Sequence, residues 1–159
     1  MTHTFKTTAL DKAFNCMVLT MANITAPSWE TVEEHEAPSS LDELIDMSTE
    51  RGHIIVSKGH SDKTIFGEPE FNWAFRAWHD SAHFRINAPF TLEGEIAACE
   101  QQIKDMVQRY GKSKQTDKWA QMIRIEVIGQ AIHFENEGAF PVDQVAFMQS
   151  KLEAGAYAD

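Results

Sequence analysis

The chain has 159 residues, 43% hydrophobic and 24% charged, with a formal net charge of -10. That length supports one hydrophobic core, so a single domain over residues 1–159 is expected to fold unaided, and the composition excludes a disordered or fibrous protein. The acidic surplus excludes nonspecific nucleic-acid binding and attraction to anionic lipid, and Cys16 and Cys99 are too few for a disulfide framework or a cysteine-rich zinc site.

Residues 1–52 read as N-terminal helices and a loop. Leu10, Phe14, Met17, Val18 and Met21 recur at helical spacing, and the stretch from Ala26-Pro27-Ser28 to Ala37-Pro38-Ser39-Ser40 is punctuated as a loop. Ser40 before Leu41-Asp42-Glu43 has the character of a helix start, predicting a short helix that ends near Arg51-Gly52. His53-Ile54-Ile55-Val56-Ser57 is a β-branched run of strand length, and Thr64-Ile65-Phe66 is its expected partner in a β hairpin over 53–66. Three segments of helical period follow, near 70–87, 92–110 and 116–135, with Pro89, Gly111 and Gly138 among their boundaries. Residues 143–154 read as a terminal helix. The expected fold is mainly α with a small β hairpin (α+β), its three central helices over 70–135 packed as a small helical domain. The opening Met-Thr-His-Thr-Phe-Lys is no apolar leader and no run approaches the ~18 apolar residues of a membrane span, so a cytoplasmic protein without membrane contact is expected.

The residues able to do chemistry concentrate in the first central helix. Phe71, Phe75, Trp78, Ala82 and Ile86 form an apolar stripe, and Asn72, Arg76, His79, His83 and Asn87 form a polar row along its edge. His79 and His83, four apart, stand one above the other, so a nitrogen from each is able to reach one cation, as in metal helices of the H-E-x-x-H type. Asp80 takes the place of the glutamate as a general base, a ligand to a second metal or a partner that orients a histidine. Glu95, with Cys99 and Gln102 following on its side of the next helix, is the expected third ligand. Two histidines and a carboxylate suit a divalent metal, zinc first, with manganese or iron as alternatives. On the third helix Glu126, Gln130 and His133 form a polar stripe amid apolar residues. Either Glu126 joins the metal shell with Gln130 or His133 beside it, or the stripe belongs to a buried network with Arg76 and Arg124.

The series Asn72-x-x-Phe75-Arg76-Ala77-x-His79-Asp80, His83, Phe90, Gly94-Glu95 and Glu126-x-x-Gly129-Gln130 resembles a family of bacteriophage and mobile-element domains with an F-R-A-x-H-D core, a later histidine, a G-E pair and an E-x-x-G-Q element. The resemblance covers roughly residues 53–134. It implies a phage setting, hence a host-cell cytoplasm, and groups these polar residues as one site without naming a reaction. Members place a glycine and the second histidine one residue later, a departure that falls on His83.

The leading expectation is a metal-dependent enzyme, a hydrolase in the first instance. His79, His83 and Glu95 hold the metal, Asp80 or Glu126 activates water, and Arg76 stabilises an anionic substrate or transition state, with Gln130 and His133 behind them. A small-molecule or nucleotide-like substrate fits this reading. The alternatives are an HD-type nucleotide phosphohydrolase, against which the upstream His53 and His60 fall in strand or loop where such enzymes carry a helical histidine, and a non-haem iron oxidase. A further alternative is a non-enzymatic acidic phage protein that inhibits a host protein partner. His3, His35 and His60 read as surface residues.

Overall fold

The computed structural model describes residues 9–158, so His3 lies outside the described residues. Helix α1 (Lys12–Thr25) begins where Asp11 accepts a hydrogen bond from the Phe14 amide at 3.0 Å, and it buries the expected face of Phe14, Met17, Val18 and Met21. Strand β1 (Glu30–Val32) and a 3-10 turn (Glu34–Glu36) occupy the segment that reads as a loop. Helix α2 (Leu41–Arg51) starts on Ser40, whose hydroxyl accepts from the Glu43 amide at 3.2 Å, and ends on Gly52 in the left-handed region at φ 79°. Strand β2 (Ile55–Ser57), α3 (Pro69–Ile86) and α4 (Leu92–Tyr110) follow. A continuous rod is then built from α5 (Lys114–Arg124), a π-helical turn (Ile125–Gly129) and α6 (Gln130–Glu137), and α7 (Gln144–Glu153) is the last helix.

The mainly helical α+β class is as expected, but the sheet is not a hairpin over 53–66. Strand β2 pairs in parallel with β1, Thr31 opposite Val56, and α2 is the crossover that a parallel pair requires. One local bond and one from α3 explain why the chain does not turn back as a strand. Ser57 Oγ accepts from the Gly59 amide at 2.9 Å, and the Ser57 carbonyl accepts from Arg76 Nη1 at 2.7 Å. Ile65 and Phe66 are instead buried in the main core, where the Phe66 carbonyl accepts from Asn15 Nδ2 at 2.8 Å.

The main core gathers α1, α3, α4, α5 and the π turn around Trp78, Phe14, Phe66, Met106 and Ile123, all less than 2% exposed. Burial of one such ring or branched side chain contributes roughly 1.5–3 kcal/mol, so this cluster fixes how the long helices sit on one another. A second, smaller cluster of Ala26, Leu44, Ile54, Val56 and Ala77 seats α2 and β2 on the other side of α3. Helices α3 and α4 are also clamped by Arg85, whose guanidinium donates to both oxygens of Asp105 at 3.2 and 2.5 Å.

The π turn is a departure from the regular third helix read from sequence. Within it the Gln130 amide donates to the Ile125 carbonyl, five residues back, where an α-helix would bond four back. Each residue of an α-helix turns the chain by roughly 100°, so one extra residue in the turn rotates everything after Gln130 onto a different face.

Candidate functional site

Of the five residues of the polar row, Asn87 is the left-handed cap that ends α3, and the other four divide into two pairs with different work. Asn72 Nδ2 donates to Ser61 Oγ at 2.9 Å and Arg76 donates to the Ser57 and His60 carbonyls at 2.7 and 3.5 Å, so these two hold the 57–61 loop against the helix. Two turns further on, His79 and His83 meet Glu95 from the first turns of α4. His79 Nε2 lies 2.6 Å from Glu95 Oε2, His83 Nε2 lies 3.1 Å from the same oxygen, and the two Nε2 atoms are 3.1 Å apart. Among the described residues these three form the group whose ligand atoms lie close enough together for a metal ion.

The far side of each imidazole is tied down. His83 Nδ1–H donates to the Ala88 carbonyl at 2.9 Å, which leaves a lone pair on Nε2 of the neutral ring. His79 Nδ1 faces Gln102 Oε1 at 2.7 Å, and a proton on Nδ1 likewise leaves Nε2 as an acceptor. Gln102 is fully buried, and its Nε2 has no hydrogen-bond partner. Imidazoles whose second nitrogen bonds a carbonyl oxygen are the usual dress of metal-binding histidines.

With both rings in that state, two lone pairs and a carboxylate oxygen converge with no donor between them. Such a triangle needs positive charge at its centre. A single proton joins His79 to Glu95 and leaves His83 Nε2 facing two acceptors, whereas one divalent ion satisfies all three atoms. Tetrahedral zinc at ~2.0–2.1 Å from each ligand sets them about 3.3 Å apart, about 0.2 Å wider than the two 3.1 Å separations and about 0.7 Å wider than the 2.6 Å between His79 and Glu95. Without an ion, burial disfavours the charged form of His79, but the hydrogen bond and charge of Glu95, with Asp80 and Gln102, outweigh it and raise its pKa. Burial acts in the opposite sense on Glu95, and the bonds and charges of His79 and His83 overcome it, holding the carboxyl at about 2.

The G-E pair of α4 has a steric reason. A Cβ on Gly94 would stand 1.8 Å from the Pro89 carbonyl oxygen, so only glycine lets the 87–91 segment close over the first turn of α4. The same segment carries the Ala88 carbonyl that orients His83, and Thr91 Oγ1, which accepts from the Gly94 amide at 3.2 Å. Phe90 packs its ring edgewise on His83, centroids 4.8 Å apart.

His79 and Glu95 open onto a cleft of about 840 Å³ that is also lined by Arg76, Asp80, Glu126 and Gln130. Burial raises the pKa of Asp80 to about 6 against the pull of His79 and His83. It raises Glu126 to about 7 against the charge of Arg76 and a 3.0 Å hydrogen bond from Gln130 Nε2. Burial lowers the pKa of Arg76, opposed by Asp80, Glu126 and Glu34. Glu126 therefore belongs to the cleft and not to the ligand triangle.

Other expected participants lie elsewhere. His133 is carried off the cleft face by the π turn, and its Nδ1 donates to the Ala139 carbonyl at 2.9 Å while its ring packs edgewise on Phe147. Arg124 pairs with Glu100 at 2.9 Å and donates to the Tyr157 carbonyl at 3.3 Å. His53 pairs with Glu30 at 3.2 Å, and the exposed His60, on the cleft rim, pairs with Glu34 at 3.1 Å, so neither adds a ligand to the triangle. His35 is exposed, as expected. The sequence assigns Gln102 no role beyond its place on the Glu95 side of α4; its spacing of seven from Glu95, two turns along the same face, is the signal that links it to the site.

No described helix is long and apolar enough to cross a membrane. Comparison of the chain with protein-family models, curated proteins and solved structures finds no match.

Proposed function

We propose that the protein is a metal-dependent hydrolase in which His79, His83 and Glu95 hold one divalent cation, zinc in the first instance. The observation that carries this reading is the convergence of His79 Nε2, His83 Nε2 and Glu95 Oε2 within 3.1 Å of one another, with His79 and Glu95 on the wall of an open cleft and His83 buried behind them. A proton-bridged cluster pairs His79 with Glu95 but leaves the His83 Nε2 lone pair facing acceptors, whereas a cation satisfies all three atoms. The donor set fits the ion, since both rings are oriented from behind by oxygen acceptors and the carboxylate is ionised at neutral pH. An ion held by three protein ligands keeps a position open and lowers the pKa of a coordinated water towards neutrality.

The surrounding residues supply the rest of a hydrolytic site. Glu126, half ionised near neutral pH, is suited to take a proton from water and return it to a leaving group. Arg76 lies on the same wall, where its charge stabilises an oxyanion as it develops. Asp80 lines the cleft one residue from His79 and adds a second carboxyl to the site. The π turn supports a functional cleft as well, because such turns inside α-helices recur at functional sites and this one carries Glu126 and delivers Gln130 to it. The motif resemblance favours a bacteriophage or mobile-element setting and action in a host cytoplasm.

Elemental analysis of the purified protein beside His79→Ala, with circular dichroism on both, tests the reading. About one equivalent of zinc, manganese or iron in the parent, lost from a folded variant, is the expected result. Full metal content in the variant, or none in the parent after reconstitution, overturns it in favour of a proton-bridged structural cluster.

A further inference from the structure

The walls of the cleft differ in kind from its metal-binding end. Phe134 on α6 and Phe140 after it stand 47% and 53% exposed, with ring centroids 4.9 Å apart, and both line the cleft. Neither belongs to a core cluster, so the chain keeps two adjacent aromatic rings in water at the mouth of the site. Val127, Leu92 and Phe90 continue this apolar wall inward, and Phe90 reaches the ring of His83. An apolar surface therefore runs from solvent to the candidate ligands, in a volume within the ~300–1,000 Å³ typical of small-molecule sites.

Charge narrows what enters. Asp80, Glu95, Glu126 and Glu135 line the cleft, and Arg76 is the lysine-or-arginine cation among its lining residues. A bound dication offsets two carboxylates and leaves no surplus of positive charge to hold a phosphate. Phosphate esters carry charge at neutral pH, whereas amides and esters are neutral. Resting on the metal-hydrolase reading above, we infer that the substrate is an amide or ester whose acyl or leaving portion bears an apolar, aromatic-sized group, with nucleotides and other polyanions excluded. Water adds to the carbonyl carbon, the C–N or C–O bond breaks, the acid product keeps the water oxygen, and the leaving nitrogen or oxygen takes a proton. The apolar group lies against Phe134 and Phe140.

Three probes on the zinc-loaded protein separate the possibilities by calorimetry: 3-phenylpropionohydroxamate, acetohydroxamate and phenylphosphonate. The aryl hydroxamate is expected to bind at least about tenfold tighter than acetohydroxamate, the effect of burying one ring, and tighter than the phosphonate. Phe134→Ala with Phe140→Ala abolishes that gain and leaves zinc content and acetohydroxamate affinity unchanged; the single variants report if the double variant does not fold. Equal hydroxamate affinities, a gain that survives the substitutions, preference for the phosphonate, or no binding of any probe to protein that retains zinc overturns the substrate class alone. Failure to retain zinc overturns the metal reading itself, so the two failures are distinct.

Discussion

The Nε2 atoms of His79 and His83 face each other at 3.1 Å while the opposite nitrogen of each ring is held by an oxygen, that of Gln102 for His79 and that of Ala88 for His83. The rings are thus oriented from behind and left open in front. Their shared partner, Glu95, is placed by a helix whose first turn tolerates no side chain at Gly94.

Gln102 acts on the site through His79. Gln102→Leu keeps roughly the volume of this fully buried side chain and removes its bond to Nδ1. Zinc affinity, measured by competition with a chromophoric chelator, is expected to fall about 10–100-fold, while urea denaturation of the metal-free protein moves by less than ~1.5 kcal/mol. A matching loss of stability with unchanged zinc affinity would make Gln102 a packing residue only.

Gly94→Ala places a methyl group on the backbone of Pro89. Because backbone and not a flexible side chain occupies that space, stability is expected to fall by at least about 1–3 kcal/mol in urea denaturation. Zinc affinity should fall with it, since the displaced segment carries the Ala88 carbonyl that orients His83. A variant as stable as the parent would contradict the close approach described here.

Glu126 makes stability depend on pH in a definite direction. Its pKa is about 7 in the fold against 4.5 ordinarily, so between those values the folded state binds more protons than the unfolded state. Stability contributed by this group is full below 4.5 and is lost as pH rises through about 7. Glu126→Gln removes the penalty, so the variant should gain on the order of 2 kcal/mol over the parent between about pH 5 and pH 8. Parallel stability curves for parent and variant would show that the carboxyl is not held in this way.

Much of this architecture is legible in the residues. Asp11, Ser40, Thr91 and Ser113 each accept from an amide three residues on, and a capping side chain before an apolar run is a local signal. His79, His83 and Glu95 were equally legible, because helical spacing alone places the two rings together and a short turn brings α4 back beside them. The parallel β1–β2 pair was not, since nothing local in Glu30-Thr31-Val32 distinguishes a three-residue strand from a loop, and its partner lies beyond α2. The π turn was hidden for a similar reason. Ile125 to Gly129 reads as ordinary helix, and only packing reveals the slipped bond that keeps Glu126 with Gln130 and turns His133 away.

The central claim is that His79 and His83 present open Nε2 atoms to a divalent ion. Nitrogen-15 spectra of the histidine rings, followed while metal-free protein is titrated with zinc, test it most directly. The account predicts that one equivalent of zinc shifts Nε2 of His79 and His83 together, displaces the proton shared with Glu95, and leaves Nδ1 of both rings protonated throughout. Zinc that binds without stoichiometry, that shifts other histidines instead, or that finds Nδ1 of His79 without a proton would contradict it.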